Sequence, residues 1–269
     1  MVLKVFFVIV LLAASSVHAA PKKDLDPYWS AFASVPSLEI SHSDWQDILT
    51  TYVITDTKGQ TFFSYNKVSQ EDHNKLTTYL ERLTSINPHQ LTRSQQFPYW
   101  INLYNAATIQ LVLENYPIKS ITKLGKGFFS FGPWDDDILT INNRKVSLND
   151  IEHRILRPIF HDERIHYAVN CASYSCPNLA TEAFTQKNIE SLLQKGARDY
   201  INHARGVRIE QKTLILSSIY KWYQNDFGQS EKTLIQHLKK YASENLNTQL
   251  EQPFEQVEYQ YQWELNEAH

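Results

Sequence analysis

The chain has 269 residues, of which 26 are basic and 29 acidic, and its formal net charge is −3. This balance, without clusters of Lys and Arg, excludes the basic surface by which proteins bind nucleic acids. Because no Pro-, Gly- or Ser-rich linker divides a chain of this length, we expect one domain.

The N-terminus has the pattern of a secretory signal peptide. Lys4 precedes an apolar stretch from residue 5 to 14, and Val17-His18-Ala19 forms a cleavage motif. The apolar stretch is shorter than the roughly 20 residues that span a bilayer, so an uncleaved anchor is the less favoured alternative. We predict that residues 1–19 are a signal peptide and that the mature protein is periplasmic or secreted, without a membrane span.

Residues 20–40 contain Pro21, Pro27 and Pro36 and predict an irregular leader before a domain at 41–266. The domain begins with a predicted hairpin, in which strands at 52–55 and 61–65 flank an Asp-Thr-Lys-Gly turn. A helix at 70–83, capped by Ser69, follows.

Two further hairpins follow the same plan. Strands at 138–141 and 145–147 precede a helix that starts near 149 and stops before Pro158. Strands at 207–210 and 213–216 precede a helix that ends at Gly228.

Helices are also predicted at 98–115 and at 186–203, and strict alternation at 257–265 predicts a half-buried strand. Together these elements predict an α+β fold, a single domain with a largely antiparallel sheet of hairpins packed with several helices.

The segment 164–177 has the clearest potential for chemistry. Alternation around His166 and Asn170 predicts a strand that places both side chains on one face and delivers Cys171 into a loop. A thiol activated by an imidazole is an arrangement for nucleophilic catalysis. Alternatively, Cys171 and Cys176 form a disulfide that pins the loop and removes the nucleophile.

A second candidate group is the pair Asn102 and Asn105, three residues apart on a helix that is apolar on nearly all sides. Buried amides must find hydrogen-bond partners. They either tie a loop to the core or orient groups of a site.

The loop at 125–137 combines three glycines with four large aromatic residues, Phe128, Phe129, Phe131 and Trp134. These rings either fold over the core or offer a stacking surface to a sugar or a peptide. The histidines near Cys171 match no compact metal-ligand spacing, so no metal site is predicted, and no phosphate- or dinucleotide-binding motif predicts a cofactor.

Four motifs resemble one family, called domain of unknown function 547. They are Trp-Ile-Asn-Leu-Tyr-Asn-Ala at 100–106, Asn-Cys-Ala-Ser-Tyr-Ser-Cys-Pro at 170–177, Lys-Trp-Tyr with Asp-Phe-Gly at 221–228, and Tyr-Gln-Trp-Glu-Leu-Asn at 261–266. The resemblance implies fold and kinship, but the family has no assigned activity. The layout is also distantly similar to papain-like and transglutaminase-like thiol enzymes. In those enzymes the nucleophilic Cys begins the buried helix, where this chain has Asn102 and Asn105.

Two functional hypotheses follow. The first is a Cys-dependent hydrolase or acyl transferase acting on an amide or thioester, with Cys171 as nucleophile and His166 as base. Asn102, Asn105 or Asn170 would orient the imidazole or donate to the oxyanion. The second is a non-catalytic extracytoplasmic module that binds a peptide or glycan on the loop at 125–137. The sequence specifies neither a small-molecule ligand nor an oligomeric state.

Overall fold

The computed structural model describes residues 22–36, 38–126 and 131–268. The described strands form three small sheets, and each of the three predicted hairpins is confirmed. The antiparallel pairs are β1 with β2 (Val53–Thr55, Thr61–Phe63), β3 with β4 (Leu139–Ile141, Arg144–Val146) and β5 with β6 (Val207–Glu210, Thr213–Ser217). β7 (Gln256–Gln260) adds to β6 in parallel.

Helices are the most frequent elements of the described chain. They are α1 (Ser43–Tyr52), α2 (Gln70–Ser85), α3 (Arg93–Glu114), α4 (Arg157–Phe160), α5 (Ile189–Ile201), α6 (Ile219–Trp222), α7 (Gln224–Phe227), α8 (Glu231–Tyr241) and α9 (Glu244–Gln249). A π-helical segment, Asp150–Leu156, runs directly into α4. Helices combined with small, mostly antiparallel sheets confirm the predicted α+β class.

The buried helix α3 is the centre of the larger hydrophobic core. It begins at Arg93 because Thr92 and Gln95 form a reciprocal capping box ahead of it. Its residues 98–109 are all buried, so neighbouring elements cover the helix on every side. This core takes in α1, α2 and the π-helical segment, and a smaller core lies among α5, β5, β6 and α8.

The strand predicted around His166 is wrong. Residues Glu163–Tyr167 form a 3₁₀ helix, whose first turn is capped when Asp162 accepts a hydrogen bond from the Arg164 backbone N–H. Residues 165–170 are all buried, because this segment lies where the two cores meet. Its apolar alternation therefore did not mark one buried face and one exposed face, which is what a half-buried strand requires.

The helix that was predicted to stop before Pro158 continues to Phe160. Pro158 lies in the first turn of α4, directly after the change from π-helical to α-helical hydrogen bonding, where the Arg157 backbone N–H donates to the Glu152 carbonyl. The helical segment before Pro158 matters for the site because it carries Glu152, His153 and Arg157.

Both ends of the described chain pack onto the domain. In the leader, the Asp24 backbone N–H donates to the His153 carbonyl at 3.1 Å, and the Trp29 ring meets Trp100 edge-on at 5.3 Å. At the C-terminus the predicted alternation of burial extends to Leu265, although β7 itself ends at Gln260. No helix among the described residues is long and apolar enough to cross a membrane.

Candidate functional site

The loop at 168–178, here called the thiol loop, carries Cys171 and Cys176 between the two cores. Asn105 of α3 fixes its start, since its amide donates to the Ala168 carbonyl at 2.9 Å and accepts from the Asn170 backbone N–H at 2.8 Å. The Asn170 side chain spans the loop, donating to the Pro177 carbonyl at 2.7 Å and accepting from the Ala172 N–H at 2.8 Å. These amides position the loop through its backbone.

The C-terminal segment holds the other side of the thiol loop. The Tyr174 backbone N–H donates to the Glu264 carbonyl at 2.7 Å, and the Asn266 N–H donates to the Ala172 carbonyl at 3.1 Å. This pairing carries Tyr261, which follows β7, onto Cys171. The contact joins residues that are 90 positions apart.

Asn102 lies elsewhere. Its side chain donates to the Phe184 carbonyl at 2.7 Å and accepts from the Phe184 N–H at 3.0 Å. Asn102 therefore ties a different loop to α3, and no described hydrogen bond joins Asn102, Asn105 or Asn170 to the Cys171 sulfur.

The Cys171 sulfur has three close polar neighbours. Its Sγ lies 2.9 Å from Cys176 Sγ, 3.1 Å from Ser173 Oγ and 3.2 Å from Tyr261 Oη. Both cysteines are free thiols; Cys171 is partly exposed and Cys176 is buried. The two sulfurs that a disulfide would join are therefore already in contact.

These neighbours shift the pKa values of the two thiols in opposite directions. Burial raises the pKa of Cys171, but the hydrogen bonds with Cys176, Ser173 and Tyr261 outweigh it and bring the pKa down to about 7. Burial, together with the adjacent Cys171, raises the pKa of Cys176 well above its usual range. Cys171 is accordingly the thiol that ionises first.

Tyr261 is suited to donate a hydrogen bond to a thiolate. Burial, and then the charge of Cys171, raise the pKa of its phenol well above 10. Its hydroxyl also lies 2.8 Å from Ser173 Oγ. The phenol therefore keeps its proton at neutral pH, and sequence reasoning gave this residue no role.

His166 lies in a buried ionic network, which contains Glu152, His153, Arg157, His166 and Asp226. Its Nε2 is 2.8 Å from Asp226 Oδ2, and its Nδ1 is 3.4 Å from Glu152 Oε1. Its ring stacks on Tyr223 with a centroid separation of 4.0 Å. Both ring nitrogens thus face carboxylates, and no described hydrogen bond joins His166 to Cys171.

Arg157 is central to this ionic network. Its Nε donates to Asp226 Oδ2 at 2.6 Å, and one terminal nitrogen lies 3.0 Å from His153 Nδ1. Because a guanidinium can only donate, His153 Nδ1 must be an unprotonated acceptor. Burial lowers the pKa of His153 to about 4, in agreement with a neutral ring.

The carboxylates of the network stay ionised. Burial opposes ionisation of Glu152, but the neighbouring histidines and Arg157 hold its pKa at about 2. For Asp226 the hydrogen bonds from His166 and Arg157 likewise outweigh burial and lower the pKa well below its usual range. Lys23 of the leader adds a contact, 3.6 Å from Asp226 Oδ1.

Tyr223 lies between the ionic network and the thiol loop. Burial raises the pKa of its phenol, and the charges of Glu152 and Cys171 raise it further. The Arg157 guanidinium also lies over its ring at 5.0 Å. Tyr223 thus packs on the ionic network and also senses the charge of Cys171, although no described hydrogen bond joins the network to the thiols.

A row of aromatic rings, here called the aromatic strip, leads away from Cys171. Tyr261 packs against Trp263 at 4.5 Å, Trp263 against Trp222 at 5.5 Å, and Trp263 also meets Phe131 and Trp134 at 5.2 and 5.6 Å. Phe131 is 41% exposed. Phe128 and Phe129 lie outside the described residues. The described part of the predicted aromatic loop thus joins the predicted thiol site.

Among the described residues, no group of three or more His, Cys, Asp or Glu side chains is arranged to hold a metal ion. In the ionic network, Glu152 and Asp226 instead lie beside Arg157 and the two histidines.

Residues 88–201 match the model of a family described as Protein of unknown function, DUF547. The match includes α3, the π-helical segment and the thiol loop, and it ends before Asp226 and Tyr261. Comparison with curated proteins gives no match, and neither does comparison with solved structures, so the likeness to papain-like and transglutaminase-like enzymes remains a prediction. The resemblance seen in the motifs at 100–106 and 170–177 is confirmed, since both lie within the segment 88–201 that matches the DUF547 family model.

Proposed function

We propose that this protein is a thiol-dependent acyl-transfer enzyme, in which Cys171 is acylated by a thioester. The observation that carries the proposal is the environment of Cys171, a partly exposed residue whose sulfur contacts Ser173, Tyr261 and Cys176 at 2.9 to 3.2 Å. With a pKa of about 7, roughly half of Cys171 is thiolate at neutral pH, without a base in contact with it.

The proposed reaction begins when the Cys171 thiolate adds to the thioester carbonyl carbon. The resulting oxyanion returns its electron pair to the carbon and expels the leaving thiolate, which leaves an S-acyl cysteine. The Tyr261 hydroxyl, which keeps its proton and lies 3.2 Å from the sulfur, would stabilise the developing negative charge. Water or a second nucleophile then takes the acyl group.

The surroundings of Cys171 favour a thioester over an amide. An amide nitrogen must be protonated before it leaves, which usually requires an acid whose pKa is near neutral. His166, the imidazole expected beside Cys171, instead has its two ring nitrogens facing Asp226 and Glu152. A thiolate leaves without a proton, so the thioester is the substrate class that this geometry can process unaided.

The aromatic strip would hold the part of the substrate that does not react. Trp263 and Phe131 offer ring surface, and Tyr261 ends the strip at the sulfur. Binding energy from this surface would place the carbonyl against Cys171. If the predicted signal peptide is cleaved, the reaction takes place in the periplasm or outside the cell.

A second candidate function is the non-catalytic binding of a peptide or glycan on the same strip. The 41% exposure of Phe131 favours it, since the strip presents aromatic surface to solvent there. Under this alternative the thiol loop is purely structural, and removal of the Cys171 sulfur leaves binding unchanged.

The decisive experiment compares Cys171→Ser with Cys176→Ser, using a small aryl thioester as substrate. The proposal expects a mass adduct of the acyl group on Cys171 in the unmodified protein and in Cys176→Ser, and none at position 171 in Cys171→Ser. Circular dichroism confirms that each variant is folded. Equal thioester turnover by the unmodified protein and folded Cys171→Ser would refute the proposal, and retained ligand binding with no adduct in any protein would support the binding function.

A further inference from the structure

We propose that Cys171 and Cys176 also form a redox-active dithiol, which exchanges its two electrons with a disulfide-bearing thiol compound or protein. The geometry points to this, because the two sulfurs are 2.9 Å apart and differ in exposure. Dithiol–disulfide exchange requires an outer thiol that attacks the substrate disulfide and an inner thiol that resolves the mixed disulfide.

Little movement is needed to join the two sulfurs. A disulfide bond is about 2.05 Å long, so the sulfurs would approach by roughly 0.9 Å. The Cys171 backbone N–H already donates to Cys176 Sγ at 2.9 Å, and this donor would stabilise the inner sulfur when it becomes a thiolate.

The backbone of the thiol loop is held in place for this exchange. Ala172, directly after Cys171, has a φ of 58°, a left-handed conformation that a non-glycine residue adopts at some cost. The Asn170 carboxamide maintains this turn by accepting from the Ala172 N–H, and Asn105 anchors Asn170 to α3. The two cysteines are therefore presented to each other by a backbone that the core fixes.

The exchange takes place in two displacement steps. The Cys171 thiolate attacks one sulfur of the substrate disulfide, forms a mixed disulfide and expels the first substrate thiolate. The Cys176 thiol gives its proton to that departing thiolate and attacks Cys171 Sγ. The bond between Cys171 and the substrate breaks, the second substrate thiolate leaves, and the protein holds a Cys171–Cys176 disulfide. The substrate gains two electrons, and the dithiol loses them.

The electrostatics of the pair support this order of steps. Burial, and then the adjacent Cys171 thiolate, keep the pKa of Cys176 high while the pair is reduced. Formation of the mixed disulfide removes that negative charge, so the pKa of Cys176 falls at the stage when it must ionise. Cys176 therefore stays protonated before the first step and ionises more readily after it.

This inference rests on the same Cys171 as the proposed acyl transfer but needs the Cys176 sulfur to form a bond, whereas in acyl transfer Cys176 serves only as a hydrogen-bond partner of Cys171. Oxidation would consume the acyl acceptor, so the oxidised protein would be unable to form the S-acyl enzyme. The two proposals can fail separately, because Cys176→Ser removes the sulfur that closes the disulfide but keeps a hydroxyl beside Cys171, so it should abolish the redox cycle and slow S-acylation without preventing it.

The test uses an aromatic disulfide that releases a coloured thiolate, mixed with the reduced full chain. We expect the unmodified protein to release two thiolates per chain and to lose the mass of two hydrogens, with Cys171 and Cys176 linked in the peptide map. Cys176→Ser should release one thiolate and keep the aromatic adduct on Cys171. Cys171→Ser should lack the fast release.

A stable aromatic adduct on the unmodified protein, or a second thiolate released by Cys176→Ser, would overturn the redox proposal. If Cys176→Ser does not fold, equilibration of the unmodified protein with reduced and oxidised glutathione replaces it. Reversible appearance of the Cys171–Cys176 peptide then supports the proposal, and its absence at every glutathione ratio contradicts it. S-acylation of Cys171 by the aryl thioester, measured in parallel, reports on acyl transfer independently.

Discussion

Replacement of Asp226 by asparagine tests the ionic network most sharply. Asp226 Oδ2 accepts from Arg157 Nε at 2.6 Å and lies 2.8 Å from His166 Nε2, and its side chain is only 8% exposed. The asparagine carboxamide would keep the shape of the side chain but leave the Arg157 guanidinium buried without this anionic partner. Breaking one side of a buried ion pair costs about 3 to 5 kcal/mol. For a chain of this size, that corresponds to a fall in melting temperature of roughly 10 °C.

Thermal melts followed by circular dichroism measure this effect, with Glu255→Gln as the matched control. Glu255 pairs with Lys212 at 2.6 Å, but both side chains are 67% exposed, so its loss should cost at most about 1 kcal/mol. The low pKa of Asp226 means that its stabilising effect is complete above the usual carboxyl range and is lost as the pH falls through the folded-state pKa. The difference in melting temperature between Asp226→Asn and the unmodified protein should therefore become smaller in acid. Equal melting temperatures at neutral pH would refute the account of the network.

Three further predictions concern the thiol loop and the cores. Tyr261→Phe removes a hydrogen bond to Cys171 Sγ, so we expect the pKa of Cys171 to rise by about one unit and its alkylation rate at neutral pH to fall several-fold. Burial lowers the pKa values of His153 and His237 from 6.5 to about 4, so in urea titrations stability should fall between about pH 6.5 and 4, where only the unfolded chain takes up these protons. Asn105→Leu leaves the Ala168 carbonyl and a backbone N–H unpaired, which should lower the free energy of unfolding by about 3 kcal/mol in urea titrations.

Each of these predictions has a control or a contradicting result. Tyr259→Phe changes a tyrosine of β7 that has no described contact with Cys171, and it should leave alkylation unchanged. Equal alkylation profiles for Tyr261→Phe and the unmodified protein would show that the Tyr261 phenol does not lower the pKa of Cys171. Stability that is constant from pH 7 to 4 would contradict neutral buried histidines. For Asn105, the control is Asn115→Ala at the exposed end of α3, where a loss equal to that of Asn105→Leu would show that the loop anchor is not special.

Local signals explain why the hairpins could be predicted from sequence. Asn142 and Asn143 have φ angles of 49° and 61°, which suit the left-handed positions of a tight hairpin turn, and this preference is contained in two residues. The Asp56 carboxylate accepts from the Lys58 and Gln60 N–H groups at 2.8 Å, which stabilises the first turn through neighbours alone.

The strand predicted around His166 does not form. Residues 165–170 are all buried because they lie where the two cores meet, so their apolar alternation did not indicate one buried and one exposed face. The helix after β4 was cut short at Pro158 in the prediction because the rule that a helix ends before proline does not cover a proline in the first turn of a new segment. In both cases tertiary context outweighed a local pattern.

The candidate site could be located from sequence but not assembled from it. The thiols and the amides stood out because they interrupt apolar segments, and Asn105 and Asn170 do contact the thiol loop backbone. The partners that shift the pKa of Cys171 could not be chosen, since Tyr261 reaches it across 90 positions through pairing of the C-terminal segment. Arg157 and Asp226 were missed for the same reason. The available signal was charged or polar residues inside buried helical segments.

The most direct test of the central claim is the pH dependence of alkylation at each cysteine of the reduced protein, resolved by peptide mass spectrometry. The account predicts that Cys171 reacts with a midpoint near pH 7 and that Cys176 stays unreactive until the protein unfolds. A Cys171 midpoint at or above ~8.5, the value of a free thiol, or faster alkylation of Cys176, would contradict Cys171 as the nucleophile.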